Sequence, residues 1–349
     1  MGLKILHSAD WHLDSPFASF PEPERQFLRQ EQKKIPGRIA ELCRREKCDL
    51  VLLAGDIFDG TPTGDTVRSV KRALEECTVP VLIAPGNHDY LAPGSLWQEK
   101  WPENVYIFRQ PGAVVLEDLN CRVYGAGYDS MDCPPLLEGF HAEGEEQYAV
   151  MVLHGDPLVR NSPCCPISAS QVRESGLQYL ALGHIHKAGS FHAGDTLCGW
   201  PGCPMGRGWE ETGEKGVYLV TLGKQVELRR ESLGLPRFWE ETVEVSGNVR
   251  RALEDRLPAA ATEDFYRITL TGFADGDAEN PEQHFSHLPR LVLRDERERL
   301  SDLWADVGED SLRGMYFRLL CQQAEKDPRA VLAARISRKL LQGREVTLP

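Results

Sequence analysis

The chain has no apolar run approaching the roughly 20 residues that a membrane-spanning helix needs, which excludes a transmembrane protein. No cleavable leader is expected either. Its first apolar run, Leu3 to Leu6, reads as a strand rather than a signal-peptide core, and Gly2 lacks the Ser or Thr that a myristoylation signal places four positions later. A cytoplasmic location is expected. Positive charge is also scarce. A net charge of −13, from 40 Lys and Arg against 53 Asp and Glu, argues against a general nucleic-acid binder, because Lys and Arg on phosphates supply most non-specific affinity. Zinc-type cysteine spacing is missing too: Cys164 and Cys165 are adjacent and Cys198 and Cys203 are five apart, so the ten cysteines are expected to be free, packed thiols in a reducing compartment. There is no repeat and no low-complexity tract.

What the chain does have is a set of five polar groups, each following a short apolar, β-branched run. They are Asp10-Trp11-His12, Gly55-Asp56-Ile57-Phe58-Asp59, Gly86-Asn87-His88-Asp89, His154-Gly155 and Gly183-His184-Ile185-His186. Each sits where a buried strand gives way to a loop, so carboxylate, imidazole and carboxamide tips converge on one sheet edge, where α/β proteins place ligands. Asp10 and His12 stand two apart on extended chain and leave the same face, as do His184 and His186, so each pair can chelate one cation. Asp56 is read as the bridge between two imidazole-rich half-sites. Oxygen and nitrogen donors without thiolate favour manganese, iron or zinc over copper or an iron–sulfur cluster. Two such ions suit phosphate-ester hydrolysis, since together they bind non-bridging oxygens and lower the pKa of a shared water. By contrast, His7 lies within the first strand and reads as a hydrogen-bonded core histidine, and His141, His192, His284 and His287 follow no apolar strand and read as surface or loop residues.

Helical periodicity from Glu24 to Lys47 and from Gly64 to Cys77 separates the first three strands. From Tyr106 onward short strands dominate, with one helix near Ser168 to Ser175. The pattern predicts an α/β fold, a two-sheet αββα sandwich. The character changes near Leu233-Gly234-Leu235-Pro236, after which a strand (Phe238 to Val245), a helix (Asn248 to Arg256) and a strand (Tyr266 to Thr271) predict a small α+β unit. Ala274 to Asn280 reads as an acidic loop. Pro289 to Leu300 alternates apolar and charged residues. At the end, Leu312, Met315, Tyr316, Leu319 and Leu320 recur at helical spacing, and after Asp327-Pro328 so do Leu332, Ile336 and Leu340. This C-terminal stretch from Ser311 is basic, with eight Lys or Arg against three Asp or Glu. The expected division is 1–235, 236–300 and 301–349.

The five groups resemble the signature of the calcineurin-like metallophosphoesterases. The finer text, His7-Ser8-Ala9-Asp10-Trp11-His12-Leu13-Asp14-Ser15-Pro16-Phe17, Ala181 to Lys187, Gly199-Trp200-Pro201-Gly202, Gly206-Arg207 and Glu214-Lys215-Gly216, resembles the nuclease subunits of bacterial SbcCD complexes and their shorter YhaO-type relatives. The likeness is strong over about the first 235 residues. It implies one metal on Asp10, His12, Asp56 and His186 and another on Asp56, Asn87, His154 and His184, the pair most often being manganese. His88 is then left to stabilise or protonate the leaving oxygen, with Asp59 supporting it. The resemblance further implies a DNA nuclease, a capping domain over 236–300, a C-terminal helical pair that docks on the coiled-coil base of an SbcC-like ATPase, and room for a homodimer. A phosphatase or small-nucleotide phosphodiesterase is the alternative, against which Gly60 stands where the superfamily's protein phosphatases carry Arg. A non-enzymatic adaptor is opposed by the full set of ligands.

Overall fold

A computed structural model of the chain describes residues 2–246, 248–274 and 281–343. Of the acidic stretch expected as a loop, Ala274 to Asn280, Ala274 ends a strand and the rest lies outside the described residues. The chain divides into two compact units, Met1–Phe238 and Trp239–Pro349.

The first unit holds two six-stranded sheets. The first consists of β1 (Leu3–Ser8), β2 (Leu50–Leu53), β3 (Val81–Ile83) and β4 (Val105–Ile107), all parallel, with β11 (Val217–Leu222) antiparallel beside β1 and β12 (Val226–Glu231) antiparallel beside β11. The second runs in the order β5 (Gly112–Leu116), β6 (Cys121–Ala126), β7 (Tyr148–His154), β8 (Tyr179–Gly183), β10 (Thr196–Trp200), β9 (Gly189–Ala193). Leu3, Ile5, Leu50 and Leu52 from one sheet meet Val123, Val150, Val152 and Ala181 from the other in a shared core. Strands of this kind are apolar throughout because both faces are covered. Helices α1 (Glu22–Gln32), α2 (Ile35–Glu46) and α3 (Gly64–Glu75) form the crossovers between β1, β2 and β3. The far face of the second sheet is covered by α4 (Ala169–Glu174) and by irregular chain carrying Tyr128 and Leu137. This is the expected two-sheet sandwich, with an outer layer on the second sheet that is mostly loop. The single helical stretch expected from Glu24 to Lys47 is two helices. Pro36 opens the second, and a residue without an N–H cannot continue the first helix's ladder.

Register explains why the polar groups meet. Ser8 pairs with Leu53 and Leu53 with Ile83, so three parallel strands end level. In the second sheet His154 pairs with Gly183. The loops carrying all five groups therefore leave the same edge of the sandwich.

The second unit contains a sheet of β13 (Phe238–Ser246), β14 (Phe265–Ala274), β15 (Leu291–Asp295) and β16 (Glu298–Arg299). Helix α5 (Val249–Glu254) contributes Leu253 to its core, beside Val243, Val245, Ile268 and Leu270. Short helices α6 (Pro281–His284) and α7 (Leu300–Leu303) follow, then α8 (Leu312–Ala324) and α9 (Arg329–Leu341). A separate small cluster joins Leu303, Phe317 and Ala334. Among the described residues no helix is long and apolar enough to cross a membrane. The cysteines carry free thiols, and all but Cys321 are buried.

Candidate metal centre

Two glycines let the donors approach one another. Gly55 has φ of +84°, and a Cβ there would lie 2.5 Å from His154 Nδ1. At Gly86 a Cβ would overlap Asp56 Oδ1. The Gly-Asp and Gly-Asn texts thus carry a packing requirement as well as ligands. Asp10, His12, Asp56 and His184 all adopt positive φ, from 46° to 86°. Strained non-glycine backbone persists where surroundings impose it, and it clusters at functional sites.

Asp56 is buried, and its two oxygens have separate partners. Oδ1 accepts the His88 backbone N–H at 2.9 Å. Oδ2 lies 3.6 Å from His12 Nε2 and 3.4 Å from His154 Nε2, between one imidazole of each expected half-site. Burial pushes its carboxyl upward, but His154, His12 and the His88 N–H and ring together outweigh burial and hold it below the usual range. His12 Nε2 in turn faces His186 Nε2 at 3.1 Å, and Asn87 Oδ1 lies 2.9 Å from His154 Nε2. His154 Nδ1 donates to the Ala54 carbonyl at 2.9 Å, which leaves its Nε2 as a lone-pair donor. Asp10 Oδ1 accepts the His184 N–H at 2.9 Å, while Asp10 Oδ2 is buried with no hydrogen-bond partner.

This donor set fits divalent cations. An unpartnered buried carboxylate oxygen and two imidazole nitrogens facing each other are unfavourable unless a cation lies between them. Donors bound to one ion at about 2.1 Å stand roughly 3.0 to 3.7 Å apart. The contacts of 3.1, 3.4 and 3.6 Å fall in that range. Among the described residues, three overlapping trios have ligand atoms within 4.8 Å of one another: Asp10, His12 and His186; Asp10, Asp56 and His154; and His12, Asp56 and His88.

Three placements qualify the sequence reading. His184 stands at the margin: its backbone binds Asp10, its ring stacks edge-on to His154 at 5.2 Å, and its Nε2 lies 3.9 Å from Asp156. His88 stands close enough to His12 and Asp56 to join a trio, yet its side chain is 40% exposed and its Nδ1 lies 3.1 Å from Asp59 Oδ1. Asp59 also accepts from Ser15 Oγ at 3.0 Å and lies 3.6 Å from His12 Nδ1. The nearby His12 and the hydrogen bond to His88 hold the Asp59 carboxyl far below its ordinary range, and Asp59 raises His88. Finally, His7 is fully buried, with Nδ1 2.7 Å from Tyr179 Oη, and burial pushes it down to about 3. It packs in the core, away from the cluster.

Sequence reasoning missed three carboxylates. Glu211 lies 2.6 Å from His186 Nδ1. Asp156, two residues after His154, points Oδ2 at His184. Asp89 accepts the N–H groups of Gly86, Ile57 and Phe58 at 2.8, 2.8 and 3.2 Å and so ties two of the motif loops together. Burial, with the nearby Asp56 charge, pushes Asp89 up to about 7. Asp89 stood within its polar group without an assigned role, and Asp156 stood two residues after His154. Glu211 lies 25 residues beyond its histidine and had none.

Two sheets whose parallel strands present Asp, Asn and His at one edge, with one carboxylate between two imidazole groups, define a phosphoesterase-type site for two divalent cations. Residues 3–188 match the calcineurin-like phosphoesterases, and the chain belongs to that family. It is similar to the uncharacterized metallophosphoesterase YhaO of Bacillus subtilis, 32% identical over 245 residues that make up 62% of this chain and 57% of that protein. It is also similar to the SbcD component of the SbcCD nuclease of Staphylococcus saprophyticus, 30% identical over 113 residues, 30% of this chain and 28% of the other. The match thus spans little more than half the length of the first of these curated relatives and under a third of the second. Among solved structures, a dimetal phosphatase from Danio rerio aligns with 66% of this chain and 96% of its own, at 14% identity and a TM-score of 0.45.

Proposed function

We propose that the chain is a metal-dependent phosphodiesterase acting on DNA, the nuclease component of a complex with an SbcC-like coiled-coil ATPase. The observation that carries the hydrolytic reading is the placement of Asp56 Oδ2 between His12 Nε2 and His154 Nε2. Asp10, His12, Asp56 and His186 would hold one ion, and Asp56, Asn87, His154 and His184 the other, with manganese the first candidate and iron or zinc next. When bound, two such ions supply Lewis acidity and a nucleophilic water at neutral pH.

The chain's own residues supply the proton handling. Asp59 accepts from His88 Nδ1, favours the charged imidazole and leaves Nε2 to hold a proton for the departing oxygen. A groove of about 710 Å³ borders His88, lined also by Gly60, Arg68, Lys71, Pro93 and Leu96. That room supports a substrate with groups on both sides of the phosphate. The similarity to the staphylococcal SbcD protein supports the DNA assignment and the ATPase partner.

The C-terminal helices support docking. Leu312 is 86% exposed and Leu319 58%, while Phe317 on the opposite side of α8 is fully buried. A helix that buries Phe317 and Gly314 and packs Leu320 half-buried on the same cluster still leaves Leu312, Met315 and Leu319 as an exposed apolar stripe for another surface. The alternative, a small-nucleotide phosphodiesterase, is favoured by the net charge of −13.

One assay separates the readings. The purified chain is incubated with duplex DNA, single-stranded DNA, bis-p-nitrophenyl phosphate and p-nitrophenyl phosphate, with manganese or with chelator. Metal-dependent cleavage of DNA and diester is expected. Monoester turnover alone would replace the nuclease reading with a phosphatase.

A further inference from the structure

His186 differs from the other donors of the cluster in what orients it. Its Nδ1 lies 2.6 Å from Glu211 Oε1, on a segment outside the five polar groups. A carboxylate only accepts, so at this shortest contact the nitrogen carries the proton and donates it; Arg207 Nη2, 3.2 Å from the same nitrogen, can only donate and has its acceptor in Glu211 Oε1 at 3.1 Å. Were Nδ1 unprotonated, its lone pair would face an anionic oxygen at 2.6 Å. The lone pair therefore sits on Nε2, the atom 3.1 Å from His12 Nε2.

Glu211 is itself held from several sides. The Arg207 backbone N–H donates to Oε2 at 2.7 Å, and its Nη2 and Nε donate to Oε1 at 3.1 and 3.3 Å. Cys203 Sγ adds a contact to Oε2 at 3.6 Å, and Lys215 Nζ donates to the His186 carbonyl at 3.3 Å. Glu211 is mostly buried, with 12% of its side chain exposed. A carboxylate serving only to neutralise Arg207 has no need to place the oxygen that takes the guanidinium on an imidazole nitrogen as well.

We propose that Glu211 is a positioning residue that fixes the tautomer and ring direction of His186, so that Nε2 is presented to the cation shared with Asp10 and His12. Arg207 holds Glu211 in that role. The inference rests on the two-cation reading of the site. It concerns one half of the site only, since His154 takes its orientation from the Ala54 carbonyl.

The test is a manganese titration of the full chain by calorimetry, with electron paramagnetic resonance on the loaded protein. Outer partners of ligating histidines typically contribute about 10- to 100-fold in affinity. Wild type is expected to bind two ions with a spin-coupled spectrum. Glu211→Ala is expected to lose about 10- to 100-fold at one ion only, and its spectrum at limiting metal to become that of isolated manganese. Glu211→Gln keeps an acceptor oxygen and should recover most of the loss. Should Glu211→Ala fail to fold, Arg207→Gln frees Glu211 and is read the same way. Two ions bound as tightly in the folded Ala variant as in wild type, or both weakened equally, would overturn the positioning role. Absence of manganese binding by wild type would overturn the two-cation reading, and the proposal with it.

Discussion

Replacing Asp56 with Asn tests the centre at the atom its two halves share. The substitution conserves shape, and the amide oxygen can still accept the His88 N–H that Asp56 Oδ1 accepts at 2.9 Å, so the loop should keep its form. What changes is the other position, 3.6 and 3.4 Å from two imidazole nitrogens, where an NH2 donor would replace an anionic oxygen. A unit charge acting at about 4 Å through an effective dielectric near 20 is worth about 4 kcal/mol. At about 1.4 kcal/mol per tenfold, that is about a 10³-fold loss in affinity, and a divalent ion would lose more. The assay pairs manganese calorimetry with bis-p-nitrophenyl phosphate hydrolysis, and a thermal melt shows that the variant is folded. Wild type should hold two ions, and the variant should show neither tight binding nor turnover at micromolar metal. An active Asp56→Asn protein holding two ions at wild-type affinity would refute the bridge.

The other predictions concern the proton, the pH and the partner. His88→Ala should keep both ions and lose about 10² to 10⁴ in rate; loss of an ion instead would make His88 a ligand, as its trio with His12 and Asp56 permits. Asp59 raises His88 above its ordinary 6.5, so a protonated His88 is available below that raised value and is lost as pH climbs through it. Asp59→Asn should therefore move the alkaline limb of the pH–rate profile toward lower pH, and an unmoved limb would remove His88 as the acid. Leu312→Asp with Leu319→Asp alters exposed positions and should shift stability by no more than about 0.5 kcal/mol each, yet abolish co-purification with the ATPase. Retained co-purification would show that the stripe is not the docking face. These substitutions test docking more cleanly than truncation near Asp310, which would also remove Phe317 and Ala334 from the cluster around Leu303.

How much was legible in the sequence depends on whether an interaction is local. A strand end is written in a few residues: an apolar β-branched run, then a polar group, with Gly between them before Asp56 and Asn87. Asp10, Asp56, Asn87 and His154 could be found that way, and the order of runs and helical periods was enough to predict two sheets. Pro36 in its run was a local break, and weighing it would have divided the first long helical stretch. The level ending of β1, β2 and β3, the left-handed backbone at Asp10, His12, Asp56 and His184, and the sharing of Asp56 between His12 and His154 are decided by packing. Hydrogen bonds across tens of residues leave no periodic trace, so the support of His186 by Glu211 and the tie from Asp89 to the Ile57 loop appear only when the chain is folded. The sequence by itself determined which donors the protein owns and that they stand at strand ends, because strand and turn chemistry is local. Only the tertiary structure decided which nitrogen of each histidine faces inward and which distant carboxylates hold the rings in place, because those depend on contacts made by distant segments.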